Sequence, residues 1–345
     1  MNFVDISGFG HSGKSVLSEL FKEFEGFNVP DINFEFNLIR IQGGLIDLSY
    51  SLCENWSPIR SDSAIRRFTK LIDRIGPSAT LKKPISLFKS NGMNYDSAFN
   101  NKFSFHSYNY INSLINFKYK GYWPYQFIDE PYYIQFIERL KSNVGINLNK
   151  SSTITVSAPS NFISLTKDYL NNIFQEITDI NDNYIITHNA LEPFNPTKGM
   201  SFFENGKIIV VQRDPRDIFS SAASQLEGFI PNFEKKSYWA IKNSFLRVDN
   251  VDEFIYRQKL YFNQVQKYQD NENVLRLKFE DIVLNYENTL QEIFNFLGVD
   301  DKIHKKKQKY FIPHKSIKNI GLWRSNADQK IINKIYKELN EFCYK

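Results

Sequence analysis

Gly8-Phe9-Gly10-His11-Ser12-Gly13-Lys14-Ser15 sets two glycines, a lysine and a hydroxyl at the spacing G-x-x-x-x-G-K-[ST]. Glycines let the backbone curl until successive N–H groups point inward at an anion. A helix that starts there adds partial positive charge, and Lys14 adds a full one. The octet follows an apolar run and precedes an amphipathic one, the setting in which it cradles phosphate. It does not say which phosphate compound. A second anion site is spaced along Arg213-Asp214-Pro215-Arg216-Asp217-Ile218-Phe219-Ser220-Ser221. An arginine at a strand end can fork onto a phosphate. Ser221 lies about two helical turns further on and can face the same side. His188 ends another strand, and an imidazole titrating near 6.5 suits a general base.

The elements that must position these residues are legible in outline. Strands are expected at 2–7, 152–157, 184–187, 207–212 and 274–279, with helices at about 13–24, 62–75, 160–177, 251–269, 286–297 and 328–343. Val16, Leu17, Leu20 and Phe21 give the first helix its apolar stripe. Asp214 reads as an N-cap, Pro215 as a first helical position and Asp217 as an acid in the first turn. Strands alternating with helices predict an α/β fold of P-loop type, a central parallel sheet with helices on both faces. The active edge then lies at the carboxyl ends of the strands. Residues 1–345 read as one domain, with 40–150 as a largely helical, aromatic-rich insertion.

FVDISGFGHSGKSVL resembles the 5′-phosphosulfate loop of sulfotransferases, and VVQRDPRDIFSS resembles their 3′-phosphate motif, R-[DN]-P-x-D-x-x-x-S. The same family continues with a strand ending in an acidic pair and a helix ending FLG, here LRLKFEDIVLNYENTLQEIFNFLGV, and with a basic loop carrying G-x-W-[KR], here HKSIKNIGLWR. These four motifs cover roughly 1–25 and 184–340. The resemblance implies 3′-phosphoadenosine-5′-phosphosulfate (PAPS) as sulfuryl donor and adenosine 3′,5′-bisphosphate (PAP) as product. By position, Gly10, His11, Ser12, Gly13, Lys14 and Ser15 would hold the 5′-phosphosulfate, and Arg213 and Ser221 the 3′-phosphate. Lys315, Lys318 or Arg324 would close over the donor; Ser316 stands in a stretch where cytosolic members have R-K-G. Two bases are open. His188 is similar in place to the Lys-Thr-His element of cytosolic members, with Ile186 replacing the lysine. Glu35, in INFEFNLIR, stands where carbohydrate-modifying members place a catalytic glutamate.

Composition narrows the alternatives. Lys+Arg 43 against Asp+Glu 38 leaves +5, too mild an excess to argue for nucleic acid and suited to small anions. Cys53 and Cys343 stand far apart with no CxxC pair, which argues against a disulfide scaffold or thiolate zinc site and for a reducing compartment. No pair of histidines has metal-ligand spacing, so no metal is expected. No apolar run reaches about 18 residues, so no membrane-spanning helix is expected. The opening MNFVDISGFG lacks the basic and apolar regions of a signal peptide, so a cytoplasmic enzyme is expected. The complete lysine loop keeps one rival open, an ATP- and Mg²⁺-dependent small-molecule kinase. A non-catalytic nucleotide-binding protein is another. The acceptor is expected to be a hydroxyl or amine compound, preferably a carbohydrate, held by the insertion. Its aromatic stretch 103–133 could stack on sugar rings or pack a core of its own, and Arg60, Arg66 and Arg67 add charge nearby.

Overall fold

Asn2–Gly8 forms β1, and alternation along it builds both faces of a sheet. Phe3 joins one buried apolar cluster, while Val4 and Ile6 join the other. A strand buried on both faces belongs in the middle of a parallel sheet. The computed structural model describes residues 1–30, 35–77, 93–121, 123, 132–143, 152–224, 248, 250–325 and 328–345. After β1 come α1 (Ser15–Phe21), β2 (Phe27–Asn28), α2 (Pro58–Ile75), α3 (Phe103–Leu114), β3 (Phe117–Gly121), β4 (Ser152–Val156), α4 (Phe162–Gln175), β5 (Tyr184–His188) and β6 (Gly206–Gln212). Then follow α5 (Pro215–Ser224), α6 (Val251–Gln266), β7 (Val274–Lys278), α7 (Tyr286–Leu297) and α8 (Gln329–Leu339), with shorter helices between.

The central sheet runs β2-β5-β1-β6-β7, and every pair in it is parallel. Register pairs Ile6 with His188, Gly8 with Val211 and Gln212 with Lys278. The carboxyl ends of four strands therefore share one edge. After β1 the chain builds β2 and β5 on one side of it and then crosses to β6 and β7 on the other, and ligands of open α/β sheets bind at such a switch point.

Helices cover both faces, as the alternating pattern requires. Leu17, Leu20 and Phe21 of α1 pack with Leu290, Ile293, Phe294 and Leu297 of α7 in one cluster. The larger cluster takes Leu170, Ile173 and Phe174 of α4, Phe254 and Phe262 of α6, and Ile332, Ile335 and Leu339 of α8. The insertion is anchored there too. Ser57 caps α2, accepting from Arg60 N at 3.2 Å, and Ile65, Phe68, Ile72 and Ile75 line its buried face.

Two expectations change. The run at 152–157 does make a strand, but β4 pairs antiparallel with β3 in a separate two-stranded sheet. Its residues Ser152 and Thr153 lie outside the core and only Ile154 to Val156 are buried, so it lacks the two apolar faces of a central strand. The aromatic stretch 103–133 divides. Phe103 and Tyr110 are core, and Phe105, Tyr108, Phe117 and Tyr119 are exposed. Residues 122 and 124–131 of that stretch lie outside the described residues.

A buried acid fixes the route to the basic loop. Glu23 accepts N–H bonds from Gln308, Tyr310 and Phe311 at 2.7–2.9 Å and pairs with Nε2 of His304 at 2.7 Å. Four donors on one carboxylate satisfy a charge that burial would otherwise penalise.

Candidate active site

The loop after β1 is shaped by its glycines. Gly13 has φ +80°, and a Cβ there would sit 2.4 Å from Cδ2 of Phe279. A Cβ on Gly8 would meet the Val211 carbonyl at 2.6 Å. His11 also takes a left-handed backbone, φ 62°. Ser12 N donates to the Phe9 carbonyl at 3.1 Å, and Leu17 N reaches back to the Lys14 carbonyl as α1 begins. Ser12 Oγ is buried and has no hydrogen-bond partner among the described residues. An unmet donor inside a glycine-built cradle fits an anionic guest. Lys14 is pulled below the usual lysine range, first by burial and then by Arg40, while Glu35 and Asp5 oppose the shift.

Arg213 follows β6 and ties three segments together. Its Nη1 donates to the His11 carbonyl at 2.9 Å and its Nη2 to the Asn319 carbonyl at 2.5 Å. The guanidinium lies 5.0 Å over the Phe279 ring, the ring that also bounds Gly13. Its Nε is buried without a hydrogen-bond partner among the described residues. Ser221 Oγ lies 3.4 Å from Nδ1 of His11. The two members of the spaced anion motif thus meet the phosphate loop at one residue, His11. Burial, Arg213 and Lys14 together hold its imidazole below its ordinary range, hence neutral.

The two acids of the motif anchor the C-terminal segment, a task the sequence reading did not give them. Asp214 accepts from Arg216 N at 2.8 Å, as the expected cap, and also from Tyr344 N at 3.1 Å. Asp217 accepts from Gly321 N at 2.7 Å and Trp323 N at 3.1 Å. Arg216 stacks 4.2 Å from the Trp323 ring. The G-x-W loop is held against the start of α5 by its own backbone. Its basic residues behave differently from its turn: Lys315, Lys318 and Arg324 are exposed, whereas Asn319 and Leu322 line the cavity beside the phosphate loop.

That cavity, about 390 Å³, gathers His11, Ser12, Gly13, Lys14, Ser15, Glu35, His188, Arg213 and Ser221. A second, about 510 Å³, opens beside it. Its lining mixes Phe9, Ile41, Met93, Phe194, Ile218, Phe254 and Tyr261 with Asn37, Arg40, Asn189, Glu192, Arg257 and Gln258, and includes Gly10, His11, Lys14 and Glu35. His11, Lys14 and Glu35 border both cavities. Arg60, Arg66 and Arg67 border neither, and Arg66 is engaged by Asp62 at 2.7 Å.

The two base candidates have different surroundings. His188 is buried, its Nε2 hydrogen-bonded to Ser18 Oγ, and burial, Lys14 and Lys22 push it down to about 3. It borders the first cavity only. Glu35 accepts from Nδ2 of Asn189 and lies 3.4 Å from Nη2 of Arg40, whose Nη1 reaches Glu192 at 3.0 Å. Asn189 follows His188 directly and has φ 47°. Ser7 Oγ bonds its Oδ1 at 3.3 Å, and Asp5 accepts from Ala190 N and Leu191 N just beyond. Asp5, Asn189 and Arg40 were missed from sequence. Asn189 carried one available signal, its place at a strand end on the active edge.

Residues 139–302 match the family model described as Sulfotransferase family. The matched segment is similar to sulfotransferase sequence. It contains His188, Arg213 and Ser221; the phosphate loop lies upstream of it. No curated protein matches the chain. Among solved structures, a sulfotransferase domain from the curacin biosynthetic pathway is similar at 10% identity, with 99% of this chain and 98% of that one covered and a TM-score of 0.40. A sulfotransferase domain of the Synechococcus PCC 7002 olefin synthase gives 12%, 98%, 94% and 0.41 for the same four measures. A sulfotransferase from Mycobacterium tuberculosis H37Rv gives 12%, 99%, 76% and 0.37. Among the described residues no group of His, Cys, Asp and Glu is placed to hold a metal ion, and no helix is long and apolar enough to cross a membrane.

Proposed function

We propose that this protein transfers a sulfuryl group from PAPS to a hydroxyl acceptor, with an amine as the other possible nucleophile. One observation carries the reading: Lys14 and Glu35 stand where a cavity lined by the phosphate loop, Arg213 and Ser221 meets a second cavity of mixed aromatic and polar lining. Donor chemistry suits the first cavity. Its loop amides, Lys14 and Ser15 would hold the 5′-phosphosulfate, and Arg213 and Ser221 the 3′-phosphate; the unmet Ser12 Oγ and Arg213 Nε support an anionic guest there.

Transfer follows the in-line pattern of phosphoryl transfer. The acceptor oxygen bonds to sulfur as the bond from sulfur to the bridging oxygen breaks. Lys14 neutralises the charge left on PAP. Glu35 takes the acceptor proton and later releases it to solvent. His188 bordering the donor side alone, and held neutral against Ser18, argues for a positioning role there. The family match disfavours the kinase reading.

A carbohydrate acceptor, the preference from sequence, has the aromatic faces of Phe9, Phe194 and Tyr261 in its favour. Of the 40–150 segment read as the acceptor cap, Arg40, Ile41 and Met93 border this cavity. The two cysteines are free thiols, which suits the cytoplasmic setting the reading includes.

The test is thermal stabilisation by PAP without metal, against ATP with Mg²⁺. A ligand at about 100 times its Kd adds about 2.7 kcal/mol. For a chain of this length that raises Tm by roughly 4 °C. Stabilisation by PAP, lost in Arg213→Ala, is the expected result. Stabilisation only by ATP with Mg²⁺ would refute the reading.

A further inference from the structure

Neither member of the acidic pair after β7 borders the donor cavity, yet Glu280 is only 1% exposed. It lies on the short helix Phe279–Leu284. Strand register places it. Gln212 pairs with Lys278 at the ends of β6 and β7, so Arg213 and Phe279, then Asp214 and Glu280, leave the sheet side by side. Glu280 Oε1 accepts from Asp214 N at 2.9 Å. Its neighbour Asp281 accepts from the Tyr344 hydroxyl at 2.8 Å, tying down the C-terminal segment that Asp214 also holds.

The Glu280 bond falls on the peptide that joins Arg213 to Asp214. Asp214 stands at the head of α5, where backbone N–H groups lack a helical carbonyl. The other end of the arginine is held by Phe279, whose ring lies 5.0 Å from the guanidinium carbon. Two adjacent residues thus fix Arg213 at its backbone and at its tip. An arginine that forks onto a phosphate needs both, because that recognition is directional. A carboxyl here is costly. Its Oε2 is buried with no hydrogen-bond partner among the described residues, and burial raises the group to about 7 against the opposing bond from Asp214 N. An apolar side chain would fill the space without that cost but would leave the Asp214 N–H unmet.

We propose that Glu280 is a positioning residue for the donor's 3′-phosphate: through its bond to Asp214 N it fixes the backbone from which Arg213 reaches that phosphate. The proposal rests on the donor reading above. An acceptor oxygen is all this role requires, so glutamine should fill it and methionine, of similar shape, should not.

The experiment measures the affinity of the full chain for PAP and for adenosine 5′-monophosphate, which lacks the 3′-phosphate. Wild type should prefer PAP by roughly 100-fold, the worth of charge-assisted bonds to one phosphate. Glu280→Met should weaken PAP by roughly 10-fold and leave the monophosphate within about 2-fold. Glu280→Gln should keep the preference within about 3-fold of wild type. In an Arg213→Ala background, Glu280→Met should cost PAP less than about 2-fold more, since two residues acting through one contact are not additive. Glu280→Leu serves if the methionine variant does not fold.

An unchanged preference in Glu280→Met would overturn the proposal. So would equal losses for the two nucleotides, which mark general damage to the site. A glutamine variant as impaired as the methionine one, or a full further loss in the Arg213→Ala background, would overturn it too. Each of these leaves the donor reading standing. No preference for PAP in wild type would instead remove the assignment of Arg213 to the 3′-phosphate, and this proposal with it.

Discussion

Nδ2 of Asn189 donates to Oε1 of Glu35, so the strand that ends in His188 delivers an amide, not an imidazole, to the carboxylate at the cavity junction. Asn189 is itself fixed from below by Ser7 and by the turn that Asp5 holds. The bond from Asn189 holds the carboxylate in one orientation at the junction. Glu35→Gln should lower kcat roughly 10²- to 10⁴-fold, the usual worth of a general base, with PAP stabilisation retained. Asn189→Ala removes the amide that orients the carboxylate and should lower kcat by up to roughly 10²-fold with PAP stabilisation retained. An unchanged kcat would leave Asn189 with only a structural role.

His188 predicts a pH effect on stability. Its imidazole is held down to about 3 by burial, then Lys14 and Lys22, whereas an unfolded histidine titrates near 6.5. Above 6.5 neither state binds the proton and the stabilisation is complete. Below it the unfolded chain takes up a proton that the native site refuses, so stability falls as pH drops toward 3. The loss approaches about 1.4 kcal/mol per pH unit. Asp5 and Glu280, both raised to about 7 by burial, give slopes of the opposite sign in the same window. They cancel in a comparison of wild type with His188→Asn by urea denaturation between pH 4 and 6. A difference independent of pH would show that the native imidazole is protonated.

The P-loop architecture was legible because β6 holds a continuous apolar run from Ile208 to Val211, β1 carries Phe3, Val4 and Ile6, β7 carries Val274, Leu275 and Leu277, and α1 carries a clear stripe beside a glycine-lysine octet. Arg213 and Ser221 were legible from spacing along one strand and helix. Local patterns of this kind survive in sequence. The Asp217 contacts to the G-x-W loop and the Asn189 bond to Glu35 join segments far apart in the chain, and nothing local marks them. The reading of 152–157 failed for a related reason: a short β-branched run announces a strand but not its partner, which only the exposed Phe117–Gly121 segment supplies.

Gly13 tests the geometry of the phosphate loop. At φ +80° any other residue bears a left-handed backbone, about 1–2 kcal/mol. A Cβ 2.4 Å from the buried Phe279 ring adds overpacking, typically about 1–3 kcal/mol. Gly13→Ala should therefore lower Tm by roughly 3–7 °C in a chain of this length and abolish PAP stabilisation. A variant as stable as wild type would mean that Phe279 is free to move aside and that the loop is not braced by it.

Asp217 and Arg213 separate loop closure from phosphate binding. Arg213 reaches both His11 and Asn319 through its guanidinium, and Asp217 holds the same C-terminal turn through Gly321 N and Trp323 N. Charge-assisted hydrogen bonds of this kind contribute about 1.5–3 kcal/mol. Asp217→Asn keeps the volume but removes the charge, so the turn carrying Asn319 and Leu322 should loosen. Hydrogen exchange at Gly321 and Trp323 should then speed up, and PAP should bind roughly 10-fold more weakly. Arg213→Ala loses the direct cation as well, and its PAP affinity should fall further, to roughly 100-fold below wild type. If Asp217→Asn accelerates exchange but leaves PAP affinity intact, the G-x-W loop takes no part in holding the donor and Arg213 acts on it alone.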